Sequence, residues 1–237
     1  MLLAIDIGNT NIVVGGIEDD QIVFEARLAT DRIKTSDQYG GEIKNTLGLF
    51  NIPVEKIEDC IISSVVPPVF NAVKTGVVKV TKQEPMVVGP GVKTGLNIRM
   101  DNPAQVGSDR IVIAVAALAE YEPPLILLDL GTATTIEVVD RGNTYLGGCI
   151  IPGVRISLEA LTSRTAQLPG INLDKPKQVI GKNTVDCMRS GIMYGTAAML
   201  DGMLDRVEEE LGCRTTVVAT GGMAQFIVPL CRREIQV

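Results

Sequence analysis

Two short segments of similar composition could bind the phosphates of a nucleotide. Each follows an apolar run and contains an aspartate, a variable residue, a glycine and small hydroxyl or amide residues: Asp6-Ile7-Gly8-Asn9-Thr10 and Asp129-Leu130-Gly131-Thr132-Ala133-Thr134. Glycine lets backbone N–H groups approach an anion closely, and the polar side chains add neutral hydrogen-bond donors. The aspartates would repel bare phosphate, so their expected partner is a cation or its water shell beside the phosphates.

The spacing of these segments is more informative than either segment alone. They lie about half a chain length apart in a chain of 237 residues, which suggests two similar halves. An ordinary hairpin turn with Asp and Gly would explain one such segment by itself. Two of them at matching positions favour a pair of phosphate loops that face a common nucleotide, and hence a phosphotransferase.

A third segment, Asn102-Pro103-Ala104-Gln105-Val106-Gly107-Ser108-Asp109-Arg110, could bind the acceptor of the phosphoryl group. Gly107 can bring backbone close to a ligand, and Asp109 beside Arg110 pairs a base with an anion-binding guanidinium. Because the chain contains no histidine, Asp109 is a natural candidate to accept or orient a hydroxyl proton. The structural alternative is that Ser108 and Asp109 cap the next helix while Arg110 pairs with a nearby acid.

Composition argues against several other classes of function. A net charge of −6, 3% aromatic residues and no tryptophan disfavour binding to nucleic acid or to an anionic membrane. The five cysteines are scattered and form no CxxC pair, which fits a reducing cytoplasm better than disulfides or a zinc site. We find no signal peptide or membrane-spanning run, and therefore expect a cytoplasmic protein without nucleic acid or membrane partners.

Apolar periodicity predicts an α/β protein whose two halves each open with a three-stranded meander. The meanders are predicted over residues 2–5, 11–17 and 21–28, and over 125–129, 134–140 and 144–151. Further strands are predicted over 60–66, 86–88 and 215–219, and helices over 36–50 (capped by Ser36), 67–82, 111–121, 154–163 and 183–211. Residues 93–104 and 164–182 are predicted loops. The predicted domains are 1–121 and 122–237.

Two halves of this kind resemble the fold shared by actin, the Hsp70 ATPase domain and acetate and sugar kinases. The resemblance implies a duplicated actin-like fold, with a mixed five-stranded sheet flanked by helices in each domain and ATP in the cleft. Thr220-Gly221-Gly222 resembles the adenosine-side glycine motif of that superfamily. An ordinary strand-to-helix turn is the alternative for this tripeptide.

A set of motifs in matching order resembles type III pantothenate kinases over essentially the whole chain. The motifs are residues 6–10, Asn102-Pro103 with 107–110, 129–135, Gly147-Gly148 with Pro152-Gly153, and Thr220-Gly221-Gly222. The Gly-Ser-Asp-Arg block is the most discriminating, because general sugar and acetate kinases lack it there. The resemblance implies ATP-dependent phosphorylation of pantothenate to 4′-phosphopantothenate, the first step of coenzyme A biosynthesis.

The resemblance also implies roles for individual residues. The residues implied to bind ATP are Asp6, Ile7, Gly8, Asn9, Thr10, Asn11, Ile12, Val13 and Thr132, and those implied to bind pantothenate are Gly107, Ser108, Asp109, Arg110 and Thr184. Asp109 would be the proton acceptor, and Asp129 would bind potassium or ammonium. Asp6 is the expected ligand of the magnesium that accompanies ATP. Arg110 would meet either the pantothenate carboxylate or the developing phosphate charge, and Thr184 could instead be only a helix N-cap.

Two departures from the family pattern and three other functions remain to be considered. Met100 stands where many relatives carry an aromatic residue, and relatives usually continue past the position of Val237 with a closing helix. The family is homodimeric, so a homodimer is expected. The other functions are a kinase for another small hydroxy acid or sugar, a non-catalytic nucleotide-binding accessory factor, and an actin-like filament protein. The acceptor block disfavours the last two.

Overall fold

Two compact units make up the chain. The computed structural model describes residues 1–89 and 91–237. Unit 1 comprises Met1–Thr94 and Ala104–Val112, and unit 2 comprises Gly95–Pro103 and Ile113–Val237. The predicted domain boundary after residue 121 stays a prediction.

Unit 1 contains a five-stranded mixed sheet. Its strands are β1 (Leu2–Ile7), β2 (Asn11–Glu18), β3 (Gln21–Ala29), β4 (Asp59–Ser64) and β5 (Met86–Val87), in the order β3-β2-β1-β4-β5. The first three strands form the predicted antiparallel meander, and β4 and β5 continue the sheet in parallel. The helices are α1 (Ser36–Leu49), α2 (Pro67–Thr81) and the start of α3 (Ser108–Glu120).

The core of unit 1 follows from its hydrophobic periodicities. Alternate residues of β1 are buried at Leu3, Ile5 and Ile7, as a half-buried strand requires. Helix α1 packs against the same core through a stripe at helical spacing that includes Tyr39 and Ile43. Its N-cap is not the predicted Ser36 but the residue before it. The side chains and backbones of Thr35 and Gln38 bond reciprocally in a capping box.

Unit 2 contains the second five-stranded mixed sheet. Its strands are β6 (Asn97–Ile98), β7 (Leu125–Leu130), β8 (Ala133–Val139), β9 (Thr144–Pro152) and β10 (Thr216–Thr220), in the order β10-β7-β8-β9-β6. Its other helices are α4 (Val154–Ser163), α5 (Thr184–Leu211) and the short α6 (Ala224–Ile227). The predicted α/β class with two similar mixed five-stranded sheets is confirmed.

The two sheets differ in the position of their fifth strand, which is β5 beside β4 in unit 1 and β6 beside β9 in unit 2. In unit 2, β7, β8, β9 and β10 take the places that β1, β2, β3 and β4 hold in unit 1. The additional strand β6 lies within predicted loop 93–104 and pairs with β9, and two residues are too short to show a strand period. Beyond β10, Gln236 pairs in parallel with Val218, in the position that β5 holds beside β4. This pairing is a single bridge.

Within the two described ranges, no helix combines the length and apolar character that a membrane span requires.

Candidate functional site

The first Asp-x-Gly segment is the tip of a hairpin. Asp6 and Ile7 are the last two residues of β1, so the predicted strand 2–5 ends too early. The strand continues because Ile7 still pairs with β2 on one side and β4 on the other. The Gly8 N–H then donates to the carbonyl oxygen of Asn11 at 3.0 Å and closes the turn. The turn interpretation is correct for the local geometry, and it leaves a polar, exposed tip that can contact a ligand.

Thr30 supports this hairpin tip and was not predicted as a site residue. Its hydroxyl donates to the Gly8 carbonyl at 2.6 Å, and its N–H donates to the Thr10 carbonyl at 3.1 Å. These two bonds fix the loop backbone on both sides of Asn9, whose side chain is exposed. A threonine just after a predicted strand carries no distinctive sequence signal, which explains why it was missed.

The last three residues of the predicted acceptor segment, Ser108–Arg110, begin α3. The helix begins at Ser108, three residues earlier than predicted. The Ser108 hydroxyl lies 3.1 Å from the Ser64 N–H nitrogen, 3.0 Å from the Ser64 carbonyl and 3.1 Å from Ser63 Oγ. It therefore contacts the end of β4 rather than capping its own helix. Asp109 Oδ1 accepts the adjacent N–H of Arg110 at 2.8 Å.

Gly107 leaves space for the Asp109 carboxylate. A Cβ atom at residue 107 would collide with Asp109 Oδ1 and would lie 3.4 Å from a methyl group of Val65. The glycine is thus needed for close approach of the carboxylate to the backbone. Asp109, the predicted proton acceptor, therefore lies directly against Gly107, the glycine that was predicted to bring backbone close to a ligand.

The carboxylates of Asp6 and Asp109 interact within unit 1. The Asp6 side chain is solvent-exposed, yet the surrounding protein removes part of its hydration. That loss is the largest cause of a raised pKa at Asp6, a hydrogen bond from Ser63 opposes it, and the negative charge of Asp109 raises the pKa further. A cation bound between these two neighbouring carboxylates would reduce their mutual repulsion.

The second Asp-x-Gly segment has the same hairpin geometry in unit 2. Asp129 and Leu130 end β7, and the Gly131 N–H donates to the Ala133 carbonyl at 3.1 Å. Asp129 is in register with Thr135 of β8 and with the last residue of β10, so their side chains share one face of the sheet.

Two glycine turns close around this second hairpin. A Cβ at Gly221, where φ is +93°, would lie 2.5 Å from Asp129 Oδ1 and 2.7 Å from the Leu130 nitrogen. A Cβ at Gly153 would lie 2.7 Å from the Gly131 carbonyl oxygen. Thr220-Gly221-Gly222 is a strand-to-helix turn between β10 and α6, as its alternative interpretation held. It also lies directly against Asp129, which the sequence motif did not reveal.

Two further predicted positions lie in unit 2. Asn183 is the N-cap of α5, since its side-chain oxygen accepts the Asp186 N–H at 2.9 Å. Thr184 is the exposed first residue of that helix, so its interpretation as an N-cap is wrong and its substrate contact stays a prediction. Met100 packs over Gly147, where φ is +112° and a Cβ would lie 2.8 Å from the Met100 sulfur.

The acidic residues fit cations that share their ligands with substrate or water. In the part of the chain that the structure describes, no group of three or more Cys, Asp and Glu residues is placed to hold a metal ion. Magnesium bound through one or two carboxylates, phosphates and water needs no such group, and Asp6 with Asp109 nearby suits that mode. Beside Asp129, the buried Thr135 Oγ1 has no hydrogen-bond partner among the described atoms. A buried oxygen of that kind is a suitable neutral ligand for a cation.

Comparison with known proteins gives consistent matches. A family model described as Type III pantothenate kinase matches residues 2–206. A relative of that name from Exiguobacterium sp. (strain AT1b) is 49% identical over 227 residues, which cover 96% of this chain and 89% of the relative. Another of the same name, from Brevibacillus brevis, is 48% identical over 226 residues, covering 95% of this chain and 89% of the relative.

Solved structures with low sequence identity share the fold. A Baf family protein from Campylobacter jejuni superposes with a TM-score of 0.60 at 18% identity. Component A of (R)-2-hydroxyglutaryl-CoA dehydratase from Acidaminococcus fermentans superposes with a TM-score of 0.56 at 16% identity. Each alignment covers 99% of this chain and 90% of the other chain.

Proposed function

The chain belongs to the type III pantothenate kinase family, and from this premise we propose that it transfers the γ-phosphoryl group of ATP to the primary hydroxyl of pantothenate. The product is 4′-phosphopantothenate, the first intermediate of coenzyme A biosynthesis. One arrangement in unit 1 carries the proposal: Ser63 pairs in register with Asp6 of the first phosphate loop and lies 3.1 Å from Ser108, the residue before Asp109 in the acceptor segment. The groups that the two substrates need are therefore neighbours.

Most of the proposed ATP contacts lie in the first hairpin, in unit 1. The proposed contacts are Asp6, Ile7, Gly8, Asn9, Thr10, Asn11, Ile12, Val13 and Thr132. The exposed tip of the first hairpin supports this assignment, because its N–H and side-chain donors can reach phosphate oxygens without covalent chemistry.

Asp109 accepts or orients the proton of the pantothenate hydroxyl. The hydroxyl oxygen forms a bond to the γ-phosphorus as the bond to the β–γ bridging oxygen of ATP breaks, and the proton passes to the Asp109 carboxylate. Gly107 supports this role by leaving space for the carboxylate. Gly107, Ser108 and Arg110 are further proposed pantothenate contacts in unit 1, and Thr184 is a proposed pantothenate contact in unit 2. Arg110 binds either the pantothenate carboxylate or the transferring phosphoryl group.

Two cation-binding residues are also proposed, one in each unit. Asp6 holds magnesium or its water shell, and magnesium bound with ATP would neutralise charge on the phosphates. Asp129 holds potassium or ammonium, supported by the buried Thr135 oxygen on the same face of the sheet. For the protein as a whole, we propose a cytoplasmic homodimer, in keeping with five free cysteines among the described residues.

The test is ADP release from MgATP with and without pantothenate, run in potassium buffer and repeated with sodium. Turnover that requires both pantothenate and potassium supports the acceptor and the monovalent cation site together. Turnover only with another hydroxyl acceptor would make the protein a kinase for that compound. ATP binding without turnover in a folded protein would favour the accessory-factor function.

A further inference from the structure

A chain of hydrogen-bonding side chains connects the first phosphate loop to the acceptor segment. Ser63 of β4 pairs in register with Asp6 of β1, so both side chains project from the same face of the sheet. The Ser63 hydroxyl hydrogen-bonds the Asp6 carboxyl group and lies 3.1 Å from Ser108 Oγ. Ser63 is only 6% exposed. Its hydroxyl is therefore bonded to protein groups and not to bulk water.

The proton and one of the two lone pairs of the Ser108 hydroxyl are used within unit 1. A hydroxyl has one proton and two lone pairs. One lone pair accepts the Ser64 N–H, and the proton is shared between the Ser64 carbonyl and Ser63 Oγ. The side chain of Ser108 is thus turned towards β4.

The charge of Asp6 sets the donor and acceptor of each hydrogen bond in this series. A carboxylate is only an acceptor, so Ser63 donates its single proton to Asp6 and accepts from Ser108, which in turn accepts from the Ser64 N–H. Hydrogen bonds that end on a charged group are stronger than neutral ones, and bonds in series polarise each other. Because Asp109 follows Ser108 directly, the same chain holds the first turn of α3.

We infer that Ser63 is a positioning residue of the kinase reaction, which orients the Asp6 carboxylate and, through Ser108, holds Asp109 at a constant position beside it. The inference rests on the proposed function and adds to it a residue that does not itself touch a substrate. Ser63 affects the reaction because phosphoryl transfer depends on accurate placement of the nucleophile and the phosphate more than on the strength of a base.

A matched pair of variants isolates the hydroxyl. Ser63→Thr and Ser63→Val have the same shape and differ only in whether the hydroxyl is present. Thr is sterically compatible with this position in a strand, since the equivalent residue beside Asp129 is Thr220. We expect Ser63→Val and Ser63→Ala to lower kcat/KM for pantothenate by about tenfold or more, and Ser63→Thr to restore most of it. Retention of kcat/KM in Ser63→Val would overturn the inference.

Ser64→Ala is the neighbouring control. It removes a hydroxyl of the same size from the next residue of β4, where that hydroxyl bonds the Val66 N–H at 3.2 Å. The backbone groups of residue 64 that contact Ser108 are kept. We expect a change of about twofold or less in kcat/KM. A loss in Ser64→Ala equal to that in Ser63→Ala would show a general weakening of β4 and would contradict the inference.

A double-mutant cycle tests the series of hydrogen bonds from Asp6 through Ser63 to Ser108. Ser63→Ala and Ser108→Ala interrupt the same series of bonds, so the double variant should lose little more kcat/KM than the more damaging single variant. Additive losses would mean that the two serines act independently. In parallel, calorimetry with MgATP and no pantothenate should show weaker nucleotide binding by Ser63→Val than by Ser63→Thr, because Asp6 is less well oriented. Equal affinity would contradict the role at Asp6.

Failure of this inference is distinguishable from failure of the proposed function. If the wild-type protein shows no pantothenate-dependent ADP release, the proposed function is wrong and the inference falls with it. If the wild type is active and the Ser63 variants differ from it only in melting temperature, the proposed function stands and Ser63 is merely structural.

Discussion

The Thr30 hydroxyl donates a hydrogen bond of 2.6 Å to the carbonyl oxygen of Gly8. This bond joins the end of β3 to the tip of the β1–β2 hairpin, where the proposed ATP contacts lie. A loop that is held before the ligand arrives loses less conformational entropy on binding.

Loss of the Thr30 hydroxyl is therefore expected to weaken ATP binding. Thr30→Val keeps the shape of the side chain and should raise KM for ATP about threefold to tenfold, because one hydrogen bond that orders the loop is lost. Thr30→Ser keeps the hydroxyl and serves as the control. Steady-state kinetics with varied MgATP at saturating pantothenate measures the difference. Equal KM values for the two variants would show that the bond does not order the loop.

Asp109→Asn tests the proton acceptor directly. The amide keeps the size of the side chain but cannot take a proton, so kcat should fall by about a hundredfold or more, within the range typical of general-base catalysis. Because positioning also contributes, some activity is expected to remain. MgATP binding by calorimetry should persist and provides the control for folding. An Asp109→Asn enzyme that turns over at the wild-type rate would rule out this assignment.

Gly221→Ala should disturb the second hairpin, and Gly222→Ala should not. A Cβ at Gly221 would lie 2.5 Å from Asp129 Oδ1 in a backbone conformation with φ of +93°, whereas a Cβ at Gly222 meets nothing within 4 Å. We expect Gly221→Ala to lose about 1–3 kcal/mol of stability and to need more potassium for activation. Thermal melts and potassium titrations of the two variants compare them. If Gly221→Ala needs no more potassium for activation than the wild type, Asp129 is not the ligand of the cation.

Helix packing in unit 1 gives a second pair of glycine variants, of which one is expected to destabilise the protein and the other to stabilise it. A Cβ at Gly76 of α2 would lie 2.8 Å from the backbone nitrogen of Gly40 and 2.8 Å from the carbonyl oxygen of Ser36 in α1. Gly76→Ala should therefore force the helices apart and destabilise the protein by about 1–3 kcal/mol. Gly41→Ala meets no atom within 4 Å and should stabilise α1 by about 0.5–1 kcal/mol. Denaturant unfolding of both variants measures the change in the free energy of unfolding.

Glu208 connects the end of α5 to the C-terminal segment. Its carboxylate accepts the Thr215 N–H and hydroxyl, both at 2.9 Å, and pairs with Arg233 at 2.8 Å and Arg214 at 2.8 Å. Burial alone would raise its pKa, but the bonds from Thr215 and Arg233 hold the pKa below its usual 4.5. A lowered pKa in the folded state contributes stability that is present above the unfolded value and is lost as the pH falls through the folded value.

Glu208→Gln should therefore remove part of the acid dependence of stability. We expect a loss of about 1–3 kcal/mol at neutral pH, because the hydrogen-bond donors around the buried residue 208 lose a charged acceptor. The difference from wild type should shrink as the pH falls below 4.5. Urea unfolding at pH 7 and at acidic pH measures this. A difference independent of pH would contradict the role of the charged form.

Local sequence determined the repeated chemistry of this protein. The two Asp-x-Gly segments and the apolar runs around them predicted two meanders, and the resemblance to the actin-like superfamily implied the two mixed sheets. These features depend on neighbouring residues and on a strand period of two, which can be read along the chain. Residue types alone left the Gly107-Ser108-Asp109-Arg110 block open between an acceptor site and a helix cap, and the resemblance to type III pantothenate kinases favoured the acceptor site.

Tertiary structure alone decided which residues support that chemistry. Ser63 meets Asp6 only because β1 and β4 pair in parallel register, and Gly221 meets Asp129 only because β10 pairs with β7. The short β6 and the single bridge at Gln236 likewise exist only through their partner strands. Contacts between distant segments leave no period in the sequence, since hydrogen bonds across a sheet depend on register and not on spacing along the chain.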